Sequence, residues 1–306
     1  MFGIQDAFSM WHLRTVRCSL VSVLAAISLL VTGTGTTLAQ QSAGPTIPNF
    51  WDPQERMVKP SLGKLSRLRF LTVTDFPPFS YIDEDKRLSG FHVDLARALC
   101  AELEALPVCQ IQALPFEEIE QALRGTGGEA AMAGHNVSAA LRERLLFTRP
   151  YFWLPARFVG RTSSNLQEPL SRALNGKEVA VVADTAHAAY AQAHFGDMLV
   201  RQFETLDTAL AALEKDQVTA VFGDGLALSF WLQRNEAQAS SQKRQMCCNF
   251  IGGPYLDQPY FGSGLAIAAS QQNPELIDGL NFALRAINDK GIFQELYLRY
   301  FPISLY

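Results

Sequence analysis

Three arginines fall close together in the stretch GHNVSAALRERLLFTRPYF at 134–152: Arg142, Arg144 and Arg149. A guanidinium presents a planar fork of donors that holds a carboxylate through two parallel hydrogen bonds. Two carboxylates stand elsewhere at the ends of apolar runs. Asp75 follows LRFLTVT (68–74), and Asp224 closes VTAVFGD (218–224) between Gly223 and Gly225, which let backbone approach closely. A fork on one side of a cleft and a carboxylate on the other is what a free amino acid requires. The arginine would take its α-carboxylate and the aspartate its ammonium group. Phe76, Phe79 and Tyr81 beside Asp75 could cover the ligand's apolar body and add cation–π attraction. Gly134, Asn136 and Ser138, just before the arginines, offer backbone, amide and hydroxyl groups. Each residue also has a plain reading: Asp224 as an acceptor of turn amides, Phe76 as core, the arginines as the solvated side of a helix turn.

Other chemistries find no signature. No G-x-S-x-G, H-E-x-x-H or P-loop occurs, and GTGG (125–128) is too short for a dinucleotide loop and follows a helical pattern. His92 and His135 read as surface or supporting residues, and no cysteine has the companions that zinc needs. Neither a metal nor a cofactor is expected.

The elements that would position these groups alternate. LRFLTVT reads as a buried strand that Pro77-Pro78 must end. After Gly90, FHVDLARALCAELEAL places Leu95, Leu99, Leu103 and Leu106 on one helical face. Then one unit is written twice. FEEIEQALRGTGGEAAMAG (116–134) and LDTALAALEKDQVTAVFGD (206–224) both run helix, turn, strand, loop, with Phe116, Ile119 and Leu123 matching Leu206, Leu210 and Leu213 as the apolar face. NGKEVAVVADTAHAAYAQAHF (175–195) gives a strand at 178–183, a tight loop at Asp184-Thr185 and a helix. The chain closes on a stripe of Leu276, Leu280, Leu284 and Ile287 and a short aromatic helix. Alternating helix and strand indicates an α/β fold with mostly parallel sheets, and the duplication indicates two lobes. In such sheets small ligands bind beyond the carboxyl ends of strands. Three ends are therefore the places to look: Asp75-Phe76, Gly134–Ser138 and Gly223-Asp224.

The N-terminus reads as a targeting segment. Arg14 and Arg17, the apolar run Cys18–Val31 and the small-residue end Thr37-Leu38-Ala39 describe a cleavable signal peptide over 1–39. Residues 40–65, rich in Gly, Pro, Ser and Gln, read as a flexible arm. The formal net charge of −4 argues against nucleic acid or anionic membrane as partner. In an oxidising compartment Cys100 and Cys109 could close a small loop, whereas Cys247-Cys248 could pair with each other, stay free or reach elsewhere.

The stretch TDFPPFSYIDEDKRLSGFHVDLARALCAEL resembles the opening of the periplasmic solute-binding proteins that serve polar amino acid ABC importers (bacterial extracellular solute-binding proteins, family 3). FTRPYF, VAVVADTAHAAY, VTAVFGD, GGPYLDQPYFGSGLAIA and INDKGIFQELYLRYF continue the match in order, over about residues 67–302. The resemblance implies a type II periplasmic binding protein fold: two α/β lobes with parallel-rich sheets, joined by two hinge strands. Lobe one would be 66–155 plus 250–306 and lobe two 156–249. It implies a non-enzymatic periplasmic monomer that captures a small polar solute, an amino acid above all, and delivers it to permease subunits. It also implies the Cys100–Cys109 bond. By the same likeness Phe76 and Phe116 would wall the ligand, Asp224 would bind its ammonium, and Gly134, Asn136, Ser138 and Thr185 would contact its carboxylate. Asp75 would read a basic side chain. One departure stands out. The family's carboxylate-binding arginine lies six residues before the Phe of its next element, and six before Phe147 is Leu141. Arg142 is one residue late, which turns its side chain by about 100° on a helix. Either the turn is rewound and Arg142 reaches the cleft, or the clamp is missing. Alternatives of other kinds are a cyclohexadienyl dehydratase-like enzyme, with Asp75, His187 or Asp224 as acid or base, and a sensor without its own permease.

Overall fold

The run Leu68–Thr72 alternates its burial between two cores, Leu68 and Phe70 on one side and Leu71 on the other, so it needs apolar residues at nearly every position. This strand, β1, is described in a computed structural model covering residues 54, 56–60, 62, 66–134, 137–242, 246–301 and 303–306. The expected signal peptide lies outside these residues. All of the described residues belong to one compact unit, Pro45–Tyr306.

Two five-stranded sheets organise that unit. In the first, β1 is flanked by β5 (Cys109–Ala113) and β6 (Ala130–Ala131), both parallel to it, and the sheet continues through β13 (Ala268–Ser270) to β7 (Leu145–Phe147). In the second, β9 (Glu178–Val182) lies between β10 (Leu199–Phe203) and β11 (Ala220–Asp224), both parallel, and β8 (Ala156–Arg161) and β12 (Cys248–Tyr255) follow. β13 and β7, like β8 and β12, run antiparallel to their neighbours. Each sheet is therefore mixed, with four strands pointing one way and a single strand, β13 or β8, reversed, as a parallel-rich fold implies. The antiparallel strands are those bordering the passages between sheets, where no helical crossover reverses the chain. β12 runs through residue 250, the expected lobe boundary.

A small antiparallel sheet, β2 (Asp75–Phe76), β3 (Ser80–Ile82) and β4 (Leu88–Ser89), follows β1. Pro77-Pro78 forms the β2–β3 turn, where neither ring interrupts a ladder bond. Gly90 sits at φ 127°, and a Cβ there would stand 2.4 Å from the Phe79 carbonyl oxygen. That close approach lets the first amides of α1 (Phe91–Glu102) donate back to the turn, Phe91 N to Pro78 O (2.9 Å) and His92 N to Phe79 O (2.7 Å). Helix and hairpin are thus joined through groups that a helix start otherwise leaves unpaired.

Leu95, Leu99 and Leu103 of the expected stripe are buried, but Leu106 is 56% exposed. The helix ends at Glu102, Glu104 turns to φ 57°, and Leu106 begins a short 3-10 turn. Pro107 disfavours helical backbone at the residue before it, so the stripe could not continue. Cys100 and Cys109 are disulfide-bonded across this turn, and Cys247 is bonded to Cys248. The helix-turn-strand unit occurs twice, as α2 (Phe116–Arg124) with β6 and, after α3 (Ala139–Arg142), α4 (Leu170–Ala173) and α5 (Ala186–His194), as α6 (Leu206–Glu214) with β11. Ile119 and Leu123 are buried as expected. Phe116 is not part of the packed face but 52% exposed.

α7 (Gly225–Ser241) joins the two cores. Leu226 and Phe230 pack with the first, Leu228, Trp231 and Leu232 with the second. After the short α8 (Gln258–Phe261), α9 (Pro274–Asp289) and α10 (Ile292–Tyr300) cover the first sheet with Leu276, Leu280, Leu284, Ile287 and Tyr297. The tail then returns across the seam: Arg157 of β8 donates to the Leu305 carbonyl at 2.7 Å, and Leu305 is fully buried. The described part of the expected arm also packs, Met57 and Leu62 against the first core and Lys59 on Glu104. No helix among the described residues is long and apolar enough to cross a membrane.

Candidate functional site

Phe76 owes its position to the hairpin beneath it. Its ring stacks on Phe79 (centroids 4.7 Å, 20°), and Phe79 is itself enclosed by Phe91 and Phe152. Gly134, at φ 75°, lies so close that a Cβ would meet the Phe76 ring at 2.9 Å. The bare backbone at the end of the first copy is therefore what leaves the ring its place. His92 lies behind, 6.0 Å from Phe76, and its Nε2 is 2.7 Å from the Tyr151 hydroxyl. It is not a surface residue: it is 1% exposed, and burial pushes its pKa down to about 3. The imidazole is neutral and supports the platform.

Asp75 is exposed beside Phe76 and shares a concavity of about 440 Å³ with Phe116 and Glu117. Pro115 is the N-cap of α2, and Phe116 and Glu117 of its first turn line this concavity with Asp75. Two carboxylates and an aromatic face suit a cationic, planar group. Sequence reading missed Glu117, because only the fold brings it near Asp75.

Of the remaining first-sheet candidates, Ser138 caps α3, its Oγ accepting from Leu141 N at 3.3 Å. Asn136 lies outside the described residues. The three arginines have separate fates. Arg144 is held by Glu120 through two bonds, 2.7 and 3.2 Å. Arg149 is exposed, with its amide bound to Asn281 Oδ1 at 2.9 Å. Arg142 is exposed, with its guanidinium 6.0 Å from the Phe147 ring centre and no carboxylate partner among the described residues.

On the second sheet, Thr185 and Asp224 both cap helices. Thr185 Oγ1 accepts from Ala188 N at 3.2 Å and donates to Val182 O at 2.8 Å. Asp224 Oδ1 accepts from Ala227 N at 2.8 Å. Burial raises the Asp224 pKa, opposed by the Ala227 amide and by His187. His187 stacks face to face on Phe261 (5.3 Å, 26°) and meets Phe222 edge-on; burial lowers its pKa while Asp224 opposes the shift. The Leu226 amide also favours the charged form of Asp224, so the carboxylate is held at the helix start by backbone N–H groups.

The structure thus brings Asp75 together with Phe116, Phe76 with Gly134, and Asp224 with His187, two residues after Thr185. The two sides approach one seam, because Pro77 and Pro78, next to Phe76, and Ala227, the Asp224 cap partner, line a single cavity. Among the described residues no group of three or more His, Cys, Asp or Glu could hold a metal ion.

The chain is similar to a protein of Escherichia coli (strain K12) provisionally named ABC transporter arginine-binding protein 2, 31% identical over 76% of this chain and 90% of that protein. It is 27% identical to the arginine-binding periplasmic protein of Mannheimia haemolytica, over 72% of this chain and 86% of that one. Among solved structures it shares its fold with the L-cystine solute receptor of Neisseria gonorrhoeae in an unliganded open conformation. That likeness has a TM-score of 0.64 and 17% identity over 78% of this chain and 94% of the other. The family model of the bacterial extracellular solute-binding proteins, family 3, matches residues 68–303, and the chain belongs to that family.

Proposed function

We propose that this protein binds a cationic amino acid of the arginine type between two lobes, 66–155 with 250–306 and 156–249. It would act in the periplasm after removal of residues 1–39, as a monomer without enzymatic activity, and hand its ligand to an ABC importer. The observation that carries the ligand class is the concavity formed by Asp75, Glu117 and Phe116, two carboxylates flanking an exposed ring. A guanidinium laid on Phe116 would meet both charges. The names of the relatives agree with this class.

In this reading Phe76 covers the aliphatic stem and Asp224 takes the α-ammonium. Gly134, Asn136, Ser138 and Thr185 offer groups to the α-carboxylate, and Arg142 turns from Phe147 onto it as the lobes close. Contacts made to both lobes exist only in the closed state, so binding shifts the open–closed equilibrium toward it. Calorimetry with arginine, histidine, glutamine and glutamate tests the assignment. Arginine is expected to bind tightest, and tighter binding of glutamine or glutamate would overturn the cationic reading. Turnover of prephenate or arogenate by the pure protein would overturn the non-enzymatic one.

A further inference from the structure

The seam cavity lined by Pro77, Pro78 and Ala227, of about 470 Å³, includes none of the residues given a ligand contact in the proposed function. Its walls come from both sides of the seam: Pro77, Pro78 and Tyr81 from the hairpin, Leu206, Asp207 and Leu210 from α6, and Ala227, Phe230, Trp231 and Arg234 from α7. Three aromatic side chains and two proline rings make flat apolar surface. The two charges are of opposite sign, Asp207 on the first turn of α6 and Arg234 three residues beyond Trp231. Both are exposed, and neither forms an ion pair among the described residues. A largely apolar concavity with a few polar groups at its margin is the usual form of a small-molecule site.

We propose that this cavity is a second ligand site, distinct from the amino acid cleft, for a flat aromatic molecule carrying one anionic and one cationic group. The ring would lie among Tyr81, Phe230, Trp231 and the prolines. Its anion would meet the Arg234 fork, and its cation Asp207. Both charges are needed, because an anion alone gains Arg234 at the cost of facing Asp207, and a cation alone meets the reverse.

L-tryptophan is a suitable probe, with indole-3-acetate and tryptamine as single-charge controls. In titrations of the full chain saturated with arginine, tryptophan is expected to bind, and each control about tenfold more weakly or worse. Arg234→Glu should weaken tryptophan at least tenfold, the loss of one charge-assisted contact, while arginine affinity stays within about threefold. Tyr81→Ala should weaken tryptophan in the same way. The proposal is overturned if tryptophan simply displaces arginine, if Arg234→Glu leaves it unchanged, or if no binding appears at millimolar concentration. The Arg234 comparison decides the matter whatever the cleft binds.

Discussion

Residues 116–134 and 206–224 pass through the same order of helix, turn and strand, and each opens its helix with an apolar residue followed by a carboxylate, Phe116-Glu117 and Leu206-Asp207. Both pairs line cavities, the first with Asp75, the second with Trp231 and Arg234. The copies part at their strand ends. The first ends on Gly134, whose missing side chain admits the Phe76 ring; the second ends on Asp224, which starts a long helix. One unit thus delivers bare backbone and the other a charge held at a helix N-terminus. The scaffold sets where a strand ends, and the single residue there sets what chemistry it offers.

The sharpest way to break the comparison is at Asp224. Asp224→Ala is expected to weaken arginine by about a hundredfold or more in calorimetry, since it removes the partner of a desolvated charge, and to cost about 1 kcal/mol of stability through the lost cap. Asp224→Asn keeps an acceptor for Ala227 N, so it should lose affinity with little change in urea stability. If the two variants bind arginine as the native chain does, the second copy's end is only a cap.

Next comes acid stability, which contrasts a buried imidazole with a half-buried one. His92 has its folded pKa lowered from 6.5 to about 3, so its contribution is present above 6.5 and is lost as pH falls toward the folded value. Urea unfolding should show about 2 kcal/mol less stability at pH 5 than at pH 7, and His92→Gln should flatten that slope. His187 is lowered by burial but opposed by Asp224, so its variant should flatten it less.

A smaller effect separates the glycines. Gly134→Ala forces φ 75° and a 2.9 Å contact with Phe76, and should cost about 1–2 kcal/mol. Gly223→Ala meets only ordinary contacts, 3.6 Å from Leu206, and should stay within about 0.5 kcal/mol in the same assay. Smallest in stability is Phe116→Ala: with half of the side chain already in water it should change stability by about 0.5 kcal/mol or less. Its arginine affinity should nevertheless fall about tenfold; an unchanged affinity would remove Phe116 from the site.

Much of the fold was legible because its signals are local. The apolar run of β1, the stripe Leu276, Leu280, Leu284 and Ile287, and the tight loop at Asp184-Thr185 before its helix each depend on a few neighbouring residues. Leu106 misled because the period was carried up to the residue before a proline, where helical backbone is disfavoured. Phe116 misled because it fits its helix's apolar spacing, yet at the first helical position it stays outside the cluster that buries Ile119 and Leu123. For His92 the sequence left surface and supporting roles open, because nothing within its own helix announces Tyr151, far along the chain.

By itself the sequence determined the alternation of helix and strand, its duplication and the three strand ends at which to seek a site. These follow from periodicity and backbone preference, which act over a few residues. Only the tertiary structure decided that Arg144 belongs to Glu120, that Glu117 joins Asp75, and that Cys247 and Cys248 pair with each other. It also left Arg142 without a carboxylate partner among the described residues. Such pairings depend on where distant segments return, and an ion pair forms with whichever opposite charge packing brings within a few ångströms.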